Sequence, residues 1–240
     1  MPLLHDGELS AAFDHAARRY DLLTAVNPGY RADLRRSARR LRLPGGGRGL
    51  RLLDLGCGTG ASTAALLATA PHAEIVAVDA SAGMLERAAA KPWPPGVSFV
   101  HAPAEELAGV GGGFDAVFAA YLFRNVTDPD AVLAAVRTAL EPGGRLAVHE
   151  YTLSGSAAHR AVWTAVCRGI VLPAGRLVGD GGLYRHLWRS VLAFDTVPEF
   201  TARLRRTGFR QVRALPLPGW QTGITHTVVA AAPDVRQETP

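Results

Sequence analysis

With 240 residues, 48% of them hydrophobic and 20% charged, the chain is long enough to bury one substantial core, and no stretch has the composition of a long disordered segment. The formal net charge of +5 is carried by cations spread along the chain instead of gathered in a block, which argues against a nucleic-acid partner. Two cysteines, Cys57 and Cys167, are too few for a disulfide framework or a four-ligand zinc site; no apolar run approaches the ~20 residues of a membrane span, and the first residues lack a signal peptide's apolar core, so a cytoplasmic protein is expected.

Residues 10 to 42 carry a helical pattern, with Phe13, Ala16, Ala17, Tyr20, Leu23 and later Leu34 and Leu41 at helical spacings, and Pro28-Gly29 divides it into two helices. Pro44-Gly45-Gly46-Gly47 reads as a loop, and Leu50 to Leu55 as a short buried strand that runs into glycines. Further strands are expected at Ile75 to Asp79, Val97 to His101, Phe114 to Ala119 and Arg145 to Tyr151, with alanine- and leucine-rich helices between them. Parallel neighbours need long crossovers, so this alternation predicts an α/β fold: a Rossmann-like, mostly parallel sheet with helices on both faces and a ligand at the carboxyl ends of its strands.

After Tyr151 the rhythm breaks. Residues 156 to 194 read as a helical insertion over the ligand face, Val197 to Thr207 as a helix ended by Gly208, and Gln211 to Leu217 and Thr225 to Ala231 as two closing strands, seven in all. Residues 1-240 are expected to form one domain, comprising N-terminal helices (1-43), a ligand-binding core (50-151), a lid (152-196) and a C-terminal helix with two strands (197-232), with the segment from Pro233 frayed.

The most informative stretch is Leu52-Leu53-Asp54-Leu55-Gly56-Cys57-Gly58-Thr59-Gly60. Glycines let the backbone turn tightly and approach a ligand with no Cβ in the way, and the helix that follows offers free N–H groups at its start. The spacing is G-x-G-x-G, whereas a dinucleotide fingerprint reads G-x-G-x-x-G and leaves room for a pyrophosphate. Asp79, at the end of the next strand, is placed to accept both hydroxyls of a ribose, a feature shared with NAD enzymes.

The run from Asp54 to Gly60 resembles the first motif of class I methyltransferases that use S-adenosylmethionine (SAM). Asp79-Ala80-Ser81-Ala82-Gly83-Met84-Leu85 resembles their ribose acid and adenine wall, and Glu141-Pro142-Gly143-Gly144-Arg145-Leu146 the turn before their fifth strand. The resemblance implies SAM as cofactor, S-adenosylhomocysteine as product, and Tyr20, Asp54, Gly56, Cys57, Gly58, Gly60, Asp79, Ala80, Met84, Ala104 and Glu105 as its contacts. One position departs: Pro103 stands where such enzymes place an acid facing the adenine amino group, which leaves that recognition to the backbone near Ala104 and to other side chains.

Within this class the chain is most similar to the ubiquinone and menaquinone C-methyltransferases. The likeness rests on Phe13-x6-Tyr20-Asp21-Leu22-Leu23, Leu122-Phe123-Arg124-Asn125-Val126-Thr127-Asp128, Val148-His149-Glu150-Tyr151, Tyr184-Arg185-His186-Leu187-Trp188-Arg189-Ser190-Val191, Phe194 and Gly208-Phe209. Thr24, Phe123 and His149 depart from the family pattern, and on this reading they line the substrate side and leave room for a different aromatic or prenylated acceptor.

That similarity implies C-methylation of an aromatic or quinol acceptor, in which loss of a phenolic proton raises electron density at the neighbouring ring carbon. Arg124 is the candidate to hold the developing phenolate, or else to anchor its loop through Asp128. His149 is the candidate proton acceptor or a packed residue, and Tyr121 a contact to cofactor or substrate. Tyr20 would close over the methionine part of SAM. Asn125, His186, Trp188 and Trp220 are the expected substrate side, Trp163, Val166, Ile170, Val171 and Leu172 the core of the lid, and no metal is implied. Two other readings stay open: a specialised-metabolite methyltransferase acting on O, N or a terpenoid carbon, and a SAM-binding cyclase-like or complex-forming protein that transfers no methyl. Monomer and homodimer, and peripheral contact with a membrane, are also left open.

Overall fold

The computed structural model describes residues 29–177, 179 and 181–234, together with Glu8, Ala11, Ala12 and Asp14. Its centre is a seven-stranded sheet of order β3-β2-β1-β4-β5-β7-β6, with β1 (Arg51–Leu55), β2 (Glu74–Asp79), β3 (Val97–His101), β4 (Phe114–Ala120), β5 (Leu140–Tyr151), β6 (Arg210–Pro216) and β7 (Thr225–Ala231). The first five are parallel, and β7 enters antiparallel between β5 and β6. Leu52 to Leu55 are all buried, the pattern of a strand covered on both faces. Because β1 has β2 on one side and β4 on the other, the crossover direction reverses there and a crevice opens beyond its carboxyl end.

The helices follow from the same apolar periodicity. Of the two expected at the N-terminus, α1 (Tyr30–Arg39) is the second; the first falls outside the described residues except at Glu8, Ala11, Ala12 and Asp14, which are helical. α2 (Ala61–Thr69), α3 (Ala82–Ala89) and α4 (Pro129–Ala139) are the crossovers. α1 buries Leu34 and Ala38 in one core layer with Leu66, Ile75 and Phe118, while Val132, Val136, Phe200 and Leu204 help fill the other. The fifth strand starts earlier than expected: Leu140 pairs with Phe114 and Arg145 with Ala116, and the glycine turn between them is absorbed as a bulge.

The insertion is α5 (Ala157–Val166), a π turn (Cys167–Val171) and α6 (Leu172–Leu177) in one unbroken run, then α7 (Gly181–Ala193). Leu153, Trp163, Cys167, Val191 and Ile224 form its own small core. α8 (Val197–Arg206) begins at a capping box, with Glu199 bonded to both the backbone and the hydroxyl of Thr196. Among the described residues no helix is long and apolar enough to cross a membrane.

The loop between β4 and α4 is fixed at its far end by Asp128, whose carboxylate accepts from the N–H groups of Asp130 and Ala131 at 3.0 Å, with Pro129 at the first helical position. Asp128→Ala is expected to lower stability by about 1 kcal/mol, the usual value of such a cap, as measured by urea unfolding.

Candidate active site

A cavity of about 650 Å³ opens at the carboxyl ends of β1, β2 and β4. On one side the loop after β1 folds back on β2, since the N–H groups of Gly56 and Cys57 both donate to the Val78 carbonyl at 2.8 and 3.0 Å. Gly58 has φ +54°, a conformation that suits glycine, and nothing within 4 Å stands where its Cβ would be. Its N–H donates to Asp79 Oδ2 at 2.7 Å, and the Ser81 N–H donates to Oδ1 at 2.9 Å. Burial raises the Asp79 pKa, opposed by those two N–H donors. Each oxygen keeps a lone pair for a further donor.

Gly56, Gly58, Asp79, Ala80, Met84, Ala104 and Glu105 all line this cavity, as does Pro103. Asp54, Cys57 and Gly60 do not, and Tyr20 lies outside the described residues. Gly60, at φ +89°, starts α2 with Trp93 packed where a Cβ would point. Asp54 is completely buried beneath the loop, where Oδ2 accepts from Ser62 Oγ at 2.8 Å and Thr63 Oγ1 at 2.6 Å. Its side chain therefore anchors the first turn of α2. Oδ1 has no hydrogen-bond partner among the described residues, and burial pushes the carboxyl pKa up to about 7. His101 also lines the cavity, its Nε2 lying 3.0 Å from the Ala80 carbonyl. Sequence reasoning passed over it, although it ends β3 in register with Asp79, at the edge where the ligand was expected.

The opposite side is the loop after β4. Tyr121 sits at φ +57°, a strained conformation for a side chain with a Cβ, and is held by its N–H donating to the His149 carbonyl at 2.8 Å. Arg124 Nη1 donates to the Tyr121 carbonyl at 2.9 Å and to Glu150 Oε1 at 2.6 Å, in an ion pair whose acid is fully buried. The anchor of Arg124 is thus Glu150 and not Asp128, which caps α4. Glu150 stood inside the Val148 to Tyr151 motif unremarked; an acid in a buried strand is itself the signal, because it needs a cation. Asn125 faces the cavity, donates to the Tyr121 carbonyl at 2.9 Å, and meets His186 Nε2 of α7 at 3.1 Å through Oδ1.

His149 is completely buried and does not line the cavity. Its Nδ1 is 2.8 Å from Ser37 Oγ and its Nε2 2.8 Å from the Tyr121 hydroxyl; Ser37 Oγ is 2.6 Å from Thr227 Oγ1, to which Arg40 Nη1 donates at 2.7 Å. Arg40 donates into this chain of hydroxyls, and the neutral imidazole donates from one ring nitrogen and accepts at the other, so both have a partner. Burial, with Arg40 and Arg124 adding to it, lowers the His149 pKa to about 3, which removes it from the role of general base near neutral pH. The other substrate-side expectations divide. His186 is buried and does not line the cavity but bonds to Asn125, which does; Trp188 packs against the lid core, and Trp220 is 54% exposed on a short turn away from the cavity. Phe123 is buried against Phe200 with ring centroids 5.6 Å apart, so neither it nor His149 shapes the substrate side; Thr24 lies outside the described residues.

These shifts carry a pH signature. Between about pH 3 and 6.5 the unfolded chain binds a proton at His149 that the folded chain refuses, so this residue's contribution to stability grows as pH rises through that window and is lost as it falls. Asp54 acts oppositely, since its raised pKa makes the folded state hold a proton the unfolded one has released between about pH 4 and 7. The difference in unfolding free energy between the wild type and His149→Gln is expected to change in the wild type's favour by about 1.4 kcal/mol per unit from pH 4 to 6 and to level off above 6.5, read by urea titration.

The sheet order, the glycine loop and the carboxylate at the end of β2 define the Rossmann-like fold of SAM-dependent methyltransferases. Solved structures bear out the fold: a SAM-dependent methyltransferase from Thermotoga maritima superposes with a TM-score of 0.66 over 93% of this chain and 99% of its own, at 19% identity. A methyltransferase from Haloferax volcanii, solved with its Trm112 activator, gives 0.66 over 92% and 97%, at 17% identity. The sequence goes further: residues 2–228 match the ubiE/COQ5 methyltransferase family, to which this chain belongs. The ubiquinone/menaquinone biosynthesis C-methyltransferase UbiE of Syntrophotalea carbinolica is 34% identical over 86% of this chain and 88% of its own length. The demethylmenaquinone methyltransferase of Thermus thermophilus is 36% identical over 82% and 90%. The chain is a methyltransferase enzyme of the SAM-dependent class.

Proposed function

We propose that this enzyme transfers a methyl group from SAM to a ring carbon of a quinol or related phenolic acceptor with a prenyl tail, on the cytoplasmic side of the membrane that holds it. The observation that carries the reading is the two-sided cavity, with a ribose-ready carboxylate and an open glycine on one wall and a buried-anchored arginine on the other. Both relatives described above carry names for quinone methylation, which supports the acceptor class. The departures at Phe123 and His149 are internal, so they give no reason to move the acceptor away from that of the relatives.

The residues present fit SAM. Asp79 has a free lone pair on each oxygen for the ribose hydroxyls, Gly58 leaves open space beside it, and Met84, Ala80 and Pro103 offer apolar walls for the adenine. When bound, SAM supplies a methyl group already activated by its sulfonium.

The protein's own work is positioning and charge placement. Arg124 lines the cavity, held in place by Glu150, and its guanidinium stabilises the negative charge that develops on the acceptor's phenolic oxygen. Tyr121 stays a neutral phenol, because burial raises its pKa well above the ordinary value, and its ring stacks on Tyr30 at 5.9 Å and lies tilted against Tyr151 at 4.8 Å. Asn125 couples this wall to α7 of the lid through His186.

Mass spectrometry of the protein incubated with SAM and short-chain demethylated quinols is expected to show S-adenosylhomocysteine together with a gain of one methyl on carbon. Binding of SAM with no methyl gain on any quinol or phenol would overturn the acceptor assignment. Asp79→Ala is expected to weaken SAM binding about 10- to 100-fold by calorimetry with the fold retained, while Arg124→Gln lowers kcat at nearly unchanged SAM affinity.

A further inference from the structure

We infer that the outer face of the lid's long helical run is a docking surface for an anionic lipid bilayer. The four large apolar side chains that stand exposed among the described residues are Val162, Ile170, Leu177 and Trp220, and the first three belong to the run from Ala157 to Leu177. Ile170 and Leu177 are 66% and 89% exposed, in an element that buries Trp163, Cys167 and Gly175 on its inner side.

The π turn puts them on one side. Ile170 and Leu177 are seven positions apart, two turns of helix, but Val162 and Ile170 are eight apart, one too many for a straight α-helix. The wider turn at Cys167–Val171 absorbs the extra residue, and the three side chains share a face. Ala161, Ala165, Gly169 and Pro173 are also exposed on this run, on the arc next to that stripe, and all are small.

Charge selects the occupant. Arg160, Arg168 and Arg176 are exposed on this run, and from Tyr151 to Gly179 the sequence holds no aspartate or glutamate. Whole-chain composition read the cations as evenly spread; this run carries three of them, the next acid in sequence is Asp180, and the small exposed residues lie between the arginines and the apolar stripe. An exposed arc with apolar side chains along one edge and arginines along the other is the pattern of a helix lying in the headgroup region of an anionic membrane. Trp220 stands on the turn next to this helix, where Gly223 is pressed against the His159 ring, and an exposed indole suits the same boundary. Asn125 and His186 join the lid to the cavity wall, so a docked lid sets the cavity beside the lipid.

The inference rests on the membrane-resident acceptor proposed above, but its test does not use that acceptor. In co-sedimentation at physiological salt, the full chain is expected to bind vesicles rich in phosphatidylglycerol at least tenfold better than vesicles of phosphatidylcholine alone. Ile170→Asp with Leu177→Asp, and separately Arg168→Glu with Arg176→Glu, should each lower that binding about tenfold or more, with circular dichroism and SAM affinity unchanged. Equal binding of both vesicles, no binding, or unaffected variants would overturn it. So would a concentration-dependent dimer abolished by Ile170→Asp, which would make the face an interface between two copies. Methyl transfer to a short-chain soluble quinol reports on the acceptor reading alone, so the two can fail separately.

Discussion

The buried ion pair between Arg124 and Glu150 is the constraint on which the acceptor side of the site depends. A carboxylate inside a sheet costs several kcal/mol unless a cation meets it with good geometry, so β5 can carry Glu150 only while the loop after β4 delivers Arg124 to it. The same guanidinium nitrogen holds the Tyr121 carbonyl, and Tyr121 is thereby kept in a backbone conformation it would otherwise leave. Asn125 bonds to that carbonyl as well and carries the restraint to α7. One charge pair thus sets a strained residue, a cavity wall and the seat of the lid.

The other wall leans on backbone donors. The turn after β1 is closed by two N–H groups on one carbonyl of β2, and the Asp79 carboxylate is held by two more. The two walls face one another because β1 and β4 are neighbours, which places the loops that follow them on either side of one crevice. A stiff polar cradle and a charged, aromatic wall are a sensible division for a reaction in which one partner arrives already activated and the other must be made electron-rich.

The buried relay from Arg40 to Tyr121 accounts for a histidine sealed inside β5. The cost of burying His149 is met by Ser37 from α1, backed by Thr227 from β7, at one ring nitrogen and by Tyr121 at the other. A residue expected on the substrate side is instead part of a polar core behind the aromatic wall.

The sequence by itself determined the strand order's raw material, the turn at Gly56 to Gly60, the carboxylate at Asp79 and the class of chemistry, because these depend on local periodicity, on glycine's freedom at positive φ and on spacing along one segment. Seven strands were legible, and their ends differ from the structure by a residue or so except at Leu140, where a bulge keeps the chain in the sheet. Only the tertiary structure decided that Asp54 anchors a helix instead of facing the cavity, that Arg124 pairs with Glu150, that His149 is sealed away from substrate, and that Trp188 and Trp220 leave the cavity. Each of these turns on which groups meet across 26 to 190 positions of chain, or on which side of an element a residue falls, and burial and pairing energies between distant segments settle that.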